Sequence, residues 1–97
     1  MIVRVFEARL APGAESNFVA ALRDDIETAH RQPGLLSLRW GQRVERGETH
    51  VIVVSEWRDL DAVQGWLGPN YLLPRYAPGE AALVLDARVR HYEGLEP

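Results

Sequence analysis

Three groups of side chains in this sequence have types and spacing suited to chemistry. His91 follows Ala87 and Val89 at two-residue steps, so in a strand it shares their apolar face. An imidazole there could move a proton near neutral pH, or simply be a core or interface histidine satisfied by a neighbour. Arg4 interrupts Ile2, Phe6, Ala8 and Leu10 on one strand face, and a buried guanidinium needs an anion. Glu56, Glu93 or the phenolate or carboxylate of a ligand would serve. Trp66, Asn70, Tyr71 and Tyr76 fall close together after a helical stretch. Their rings with polar tips could wall a pocket for a planar ligand, or form a loop folded over the helix layer.

Other residues limit the chemistry further. The chain has no Cys, which removes disulfides, thiolate metal sites and Cys nucleophiles. All eleven basic residues are Arg, so Schiff-base chemistry on Lys is excluded. No phosphate-binding loop, dinucleotide glycine motif or Ser-His-Asp order is present. Asp24, Asp25, Glu27 and His30 read as a solvated helix face and not a metal site, because no second His or evident carboxylate geometry joins them. His50, opening a strand after a turn, reads as exposed. Arg is left for anions and His for protons, with no metal and no cofactor expected.

The elements that must position these groups follow from periodicity and punctuation. Ile2 to Leu10 is rich in β-branched and aromatic residues and stops at Ala11-Pro12-Gly13. From Ala14 the pattern turns helical, with Phe18, Leu22 and Ile26 four apart, until Gln32-Pro33-Gly34 ends it. Leu35 to Val44 alternates again, with Leu36, Leu38, Trp40 and Val44 expected on one face. The polar turn Glu45-Arg46-Gly47-Glu48 joins it in a hairpin to Thr49–Trp57. Asp59 is the expected N-cap of a second helix with Leu60, Val63 and Leu67 inward, and Trp57 a staple beneath it. Gly68-Pro69 ends that helix. A loop over Asn70–Gly79 leads to Glu80–Leu85, open between a short helix and an early strand, and to a last strand over Ala87–Glu93.

This order, β-α-β-β-α-β, is the split βαβ arrangement of an α+β ferredoxin-like fold. Right-handed crossovers place the first and third strands at the centre of a four-stranded antiparallel sheet with both helices on one face. Val51-Ile52-Val53-Val54 is apolar on both faces, yet the helices cover only one. A second copy packed sheet to sheet is the simplest cover, so a homodimer is expected.

Ninety-seven residues, a net charge of −3, 46% apolar and 26% charged residues describe an ordinary globular chain, read as one domain over 1–97. No apolar run approaches the ~20 residues of a membrane span, and Met1-Ile2-Val3-Arg4 lacks a signal-peptide layout. A cytoplasmic protein with neither membrane nor nucleic-acid partner is expected.

Pro12-Gly13, Pro33-Gly34 and Glu56-Trp57-Arg58-Asp59-Leu60-Asp61-Ala62 stand at the element junctions in a way that resembles the antibiotic-biosynthesis-monooxygenase family of dimeric α+β barrels. Gly68-Pro69-Asn70-Tyr71, Tyr76-Ala77-Pro78-Gly79-Glu80 and Val89-Arg90-His91-Tyr92-Glu93 resemble a branch of it with a Gly-x-x-Tyr loop and a terminal His-Tyr-Glu. The resemblance implies a scaffold used by cofactor-free monooxygenases on polycyclic phenols, by quinol oxygenases and by haem-degrading enzymes. In characterised monooxygenases of the family, Asn, Trp, Tyr and Arg side chains hold the substrate, a role Trp66 and Asn70 would take here. Haem-degrading members carry the iron-binding His on the second helix, where this chain reads Asp61-Ala62-Val63-Gln64-Gly65-Trp66-Leu67. Haem chemistry is therefore not expected.

Together these readings lead to a cofactor-independent, monooxygenase-like enzyme acting on a small phenolic, quinol or polyketide-type compound. Trp66, Asn70, Tyr71 and Tyr76 would bind it, His91 would deprotonate it and Arg4 or Asn70 would hold its anion. A binding or structural dimer without turnover is the first alternative, and it expects Arg4, His91 and the tyrosines to satisfy one another. A cyclase or isomerase using the same base without O2 is the second.

Overall fold

The computed structural model describes residues 1–95, so the last two residues of the domain expected over 1–97 lie outside it. Strand β1 spans Ile2–Leu10, helix α1 Glu15–His30, β2 Leu35–Glu45, β3 Glu48–Trp57, α2 Leu60–Leu67 and β4 Val84–Glu93. The sheet order is β2-β3-β1-β4 with every pairing antiparallel, so β1 and β3 are central as the crossover argument requires.

Alternation sorts the sheet into two faces. On β1, Arg4, Phe6, Ala8 and Leu10 are buried while the residues between them are half-buried. Register then places Val51, Val53 and Ser55 of β3 and Ala87, Val89 and His91 of β4 on the same helix-covered face. Phe18 and Leu22 of α1 pack on Phe6, Ala8, Leu10 and Val51 to form the core.

The opposite face carries Val3, Val5, Ile52 and Val54 amid charged residues. Arg9 pairs with Glu48 at 2.7 Å and with Asp86 at 2.9 Å, and Arg88 pairs with Glu7 at 3.1 Å. Glu7, Arg9, Arg43, His50, Ile52 and Arg88 help line a broad concavity of about 780 Å³ there. His50 is half-buried in it, less open than its sequence position suggested.

Local chemistry accounts for the junctions. The β2–β3 hairpin turns on Arg46 (φ 52°) and Gly47 (φ 78°), both left-handed, as a two-residue turn of type I′ requires. Asp59 caps α2 by accepting the Ala62 N–H at 2.9 Å. Gly34 lies at φ +85°, where a Cβ would come within 2.5 Å of the Ala62 Cβ, so the start of β2 is seated on α2 by a hydrogen at that position.

Three further expectations change. Leu60, expected inward with Val63 and Leu67, is exposed at the first position of α2, and only Val63 of that helix is buried. The β2 register shifts between Leu35 and Ser37, and Leu36 is 58% exposed instead of sharing the face of Leu38 and Trp40. The extra residue of a bulge breaks strict alternation. The open segment Glu80–Leu85 splits into a 3-10 turn over Ala81–Leu83 and a strand that starts at Val84. Leu10 pairs with Val84 past an irregularity at Arg9 and Leu10, and the Ala11 N–H donates to the Leu83 carbonyl at 2.8 Å. Asp86 does not interrupt the strand, because it faces the open side and pairs with Arg9.

Candidate functional site

Between the helices and the sheet lies a small cavity of about 50 Å³, room for a few water molecules. Its walls are Arg4 and Phe6 of β1, Leu22, Asp25, Ile26 and Ala29 of α1, Leu38 of β2, Val53 and Ser55 of β3, and Trp66 and Leu67 of α2. Arg75 and Glu80, from the segment between α2 and β4, complete it. Strand alternation turns Arg4, Phe6, Val53 and Ser55 inward together, while the helical period of α1 brings Leu22, Asp25, Ile26 and Ala29 onto one stripe.

Arg4 is 6% exposed. Its Nη1 donates to the Tyr71 carbonyl at 2.7 Å and lies 3.0 Å from His91 Nε2. A guanidinium has only donors, so Nε2 accepts and the ring proton of His91 sits on Nδ1. Burial, then the Arg4 charge, pushes the His91 pKa down, which keeps the imidazole neutral at pH 7. Burial, then Arg75, lowers the Arg4 pKa to about 10, while Asp25 opposes the shift. Among the described residues no carboxylate lies within ion-pair distance of Arg4: Glu56 instead accepts from Ser37 at 2.8 Å, on the other face.

Arg75 closes the cavity from outside. It forms an ion pair with Asp25 across to α1 and lies 4.8 Å from the centre of the Trp66 ring. Trp66 in turn stacks on the fully buried Trp57 at 5.4 Å, and Trp57 Nε1 donates to Ser55 Oγ at 2.9 Å. Asp25 is thus turned into the structure and not solvated with Asp24 and Glu27. Only tertiary packing could place a partner fifty residues away beside it.

Glu80 is the residue that sequence reasoning missed. It is 2% exposed, and its Oε2 has no hydrogen-bond partner. Burial first, then the Asp25 charge, raises its pKa to about 7, against the opposing effects of the Ala77 backbone and Arg75. No local signal marks it: Glu80 lies in the turn between Gly79 and the 3-10 segment Ala81–Leu83, where no periodicity fixes the direction of a side chain.

The sequence-expected residues are distributed unevenly. Arg4 and Trp66 face the cavity. His91 stands behind Arg4, with Tyr71 edge-on to its ring at 5.4 Å. Tyr76 is half-buried, edge-on to Phe6 at 6.4 Å, and its hydroxyl pKa is raised by burial and by Glu80. Asn70 is exposed at the end of the 3-10 turn Gly68–Asn70.

The family model for antibiotic biosynthesis monooxygenases matches residues 1–72. The chain belongs to the antibiotic biosynthesis monooxygenase family. Solved structures agree with that fold. PA3566 from Pseudomonas aeruginosa is similar with a TM-score of 0.78 at 19% identity, covering 98% of this chain and 94% of its own. Rv0793 from Mycobacterium tuberculosis gives 0.74 at 18% identity over 99% and 96%. A variant of MhuD with two manganese protoporphyrin IX molecules per active site gives 0.71 at 19% identity over 100% and 97%. Among curated proteins none matches. The family match stops before Arg75, Glu80 and His91, so within this antibiotic biosynthesis monooxygenase family member part of the cavity wall and, among the described residues, the one unpartnered buried carboxyl come from the segment beyond it.

Proposed function

We propose that this family member is a cofactor-independent, monooxygenase-like enzyme acting on a small phenolic, quinol or polyketide-type compound in the helix–sheet cavity. The observation that carries this reading is Arg4: a guanidinium almost fully withdrawn from water, on the cavity wall, bonded only to a carbonyl and a neutral imidazole. A buried cation without a counter-charge favours an incoming anion. The anion of a phenol or quinol, held there in a dry pocket, can pass an electron to O2 without help from a metal. The protein then supplies deprotonation, anion stabilisation and exclusion of water. His91 accepts from Arg4 and fixes its direction, and Trp66, held between Trp57 and Arg75, contributes to the wall.

The side chains present do not fit a haem. Helix α2 offers no His, and His91 has its Nε2 engaged by Arg4. A structural dimer is the second reading. It has one specific observation in its favour, since Arg4, His91 and the Tyr71 backbone do satisfy one another. In either reading the open sheet face, with its apolar centre, is covered by a second copy of the chain, and the protein acts as a homodimer in the cytoplasm.

Oxygen uptake with a panel of quinols and polycyclic phenols, in metal-chelated buffer, separates the readings. The wild type consumes O2, and His91→Ala abolishes uptake while the protein elutes unchanged from a sizing column. Undiminished uptake in His91→Ala removes the Arg4–His91 pair from the mechanism. Substrate conversion without O2 consumption points to a cyclase or isomerase.

A further inference from the structure

Glu80 is held by backbone on both sides. Its N–H donates to the Ala77 carbonyl at 3.0 Å, and its own carbonyl accepts the Leu83 N–H at 3.0 Å. The side chain therefore enters the helix–sheet layer from a fixed point, just where the loop passes into β4. There it is buried, on the wall of the same cavity as Arg4, with Oε2 unpartnered. Leaving a buried carboxyl oxygen without a donor is costly, and few native groups are left so. A ligand that brings a hydroxyl to Oε2 removes the cost.

We propose that Glu80 is the proton acceptor of this cavity, taking the hydroxyl proton of a small phenol or enol whose anion then rests against Arg4. The inference rests on the reading of the cavity as the reaction site. In the step, the ligand O–H bond breaks, a new O–H bond forms at Oε2, and the electron pair stays on the ligand oxygen. The negative charge moves from an unpartnered carboxylate to an oxygen facing a guanidinium. No oxidant is consumed, and no proton is released to solvent. His91 is less suited, because its free lone pair is already taken by Arg4.

The surroundings set the operating range. The charged and titratable groups around Glu80 are Arg4 from β1, Asp25 from α1, and Arg75 and Tyr76 from the loop, while β2, β3 and α2 contribute Leu38, Val53, Ser55, Trp66 and Leu67. Asp25 is already paired with Arg75. Glu80 is thus left to exchange a proton near neutral pH, where its pKa of about 7 matches that of an acidified phenol.

The probe is 4-nitrophenol, whose phenol and phenolate forms absorb at different wavelengths. Mixed with wild-type protein slightly above pH 7, where Glu80 is largely ionised, bound probe should be phenolate to a greater extent than free probe at the same pH. In Glu80→Gln, bound probe should stay in the phenol form or bind about tenfold or more weakly. A measurement on the wild type alone guards against a variant that folds poorly. The infrared difference spectrum on adding probe should gain the carbonyl band of a protonated carboxylic acid. Equal phenolate formation by both proteins, or no such band, overturns the role of Glu80 and leaves the cavity reading standing. If neither protein binds the probe, the proposal for Glu80 falls, and oxygen uptake with quinols decides the cavity reading separately.

Discussion

Replacing Glu80 by Gln also tests the buried carboxyl with no ligand present, through the pH dependence of folding. In the unfolded chain this carboxyl titrates near 4.5, and in the folded protein near 7. A pKa raised by folding favours the folded state below the unfolded value. That contribution disappears as pH climbs from 4.5 to 7, because the unfolded chain can ionise first. At about 1.4 kcal/mol per pH unit the full difference is about 3 kcal/mol, and screening by water at the cavity mouth leaves about 2. Gln has the shape of the protonated acid but never ionises. The variant should therefore match the wild type near pH 4.5 and exceed it by about 2 kcal/mol at pH 8, or about 8–16 °C in melting temperature for a domain of this size. Thermal and urea unfolding followed by circular dichroism, at one fixed protein concentration across this range, gives the comparison. Wild-type and variant curves that run parallel from pH 4.5 to 8 would refute the assignment of a buried, neutral-range carboxyl.

Two further outcomes follow from contacts described above. Arg4→Met removes the charge that lowers the His91 pKa, so the imidazole should titrate at a higher pH than in the wild type, as read by NMR; in turnover, kcat/KM for oxygen uptake should fall by about 100-fold or more. Gly34→Ala drives a Cβ to 2.5 Å from that of Ala62 at a left-handed backbone position, and should cost about 2 kcal/mol or more in urea unfolding, with no change in the spectroscopic response to 4-nitrophenol.

Local signals carried the architecture. Proline and glycine at Pro12-Gly13, Pro33-Gly34 and Gly68-Pro69 marked element ends, Asp59 announced its helix, and two-faced apolar Val51–Val54 marked a central strand. What escaped depends on register or on distant partners. One inserted residue at Leu36 rotates a side chain out of line, and no pattern within β2 alone predicts it. Val84 joins the sheet early because Leu10 and Ala11 lie opposite it and Leu83, a pairing across some seventy residues of chain. Arg4 and Trp66 could be picked out because a strand's alternation or a helix's period fixed their direction. Asp25 and Glu80 could not, since the first owes its orientation to Arg75 and the second lies in a turn with no periodicity to aim it.

The column formed by Arg75, Trp66 and Trp57 gives the molecule an optical reporter of its own. Two of its three indoles overlap at 5.4 Å, and the outer one is capped by a guanidinium anchored to α1 through Asp25. Stacked indoles at that spacing couple electronically, so the near-ultraviolet circular dichroism carries a signature of the stack. Any movement that lifts the loop from the cavity must take Arg75 off the outer ring and expose Trp66 to collisional quenchers. Entry of a ligand can then be timed by light emitted from the protein itself, with no label attached.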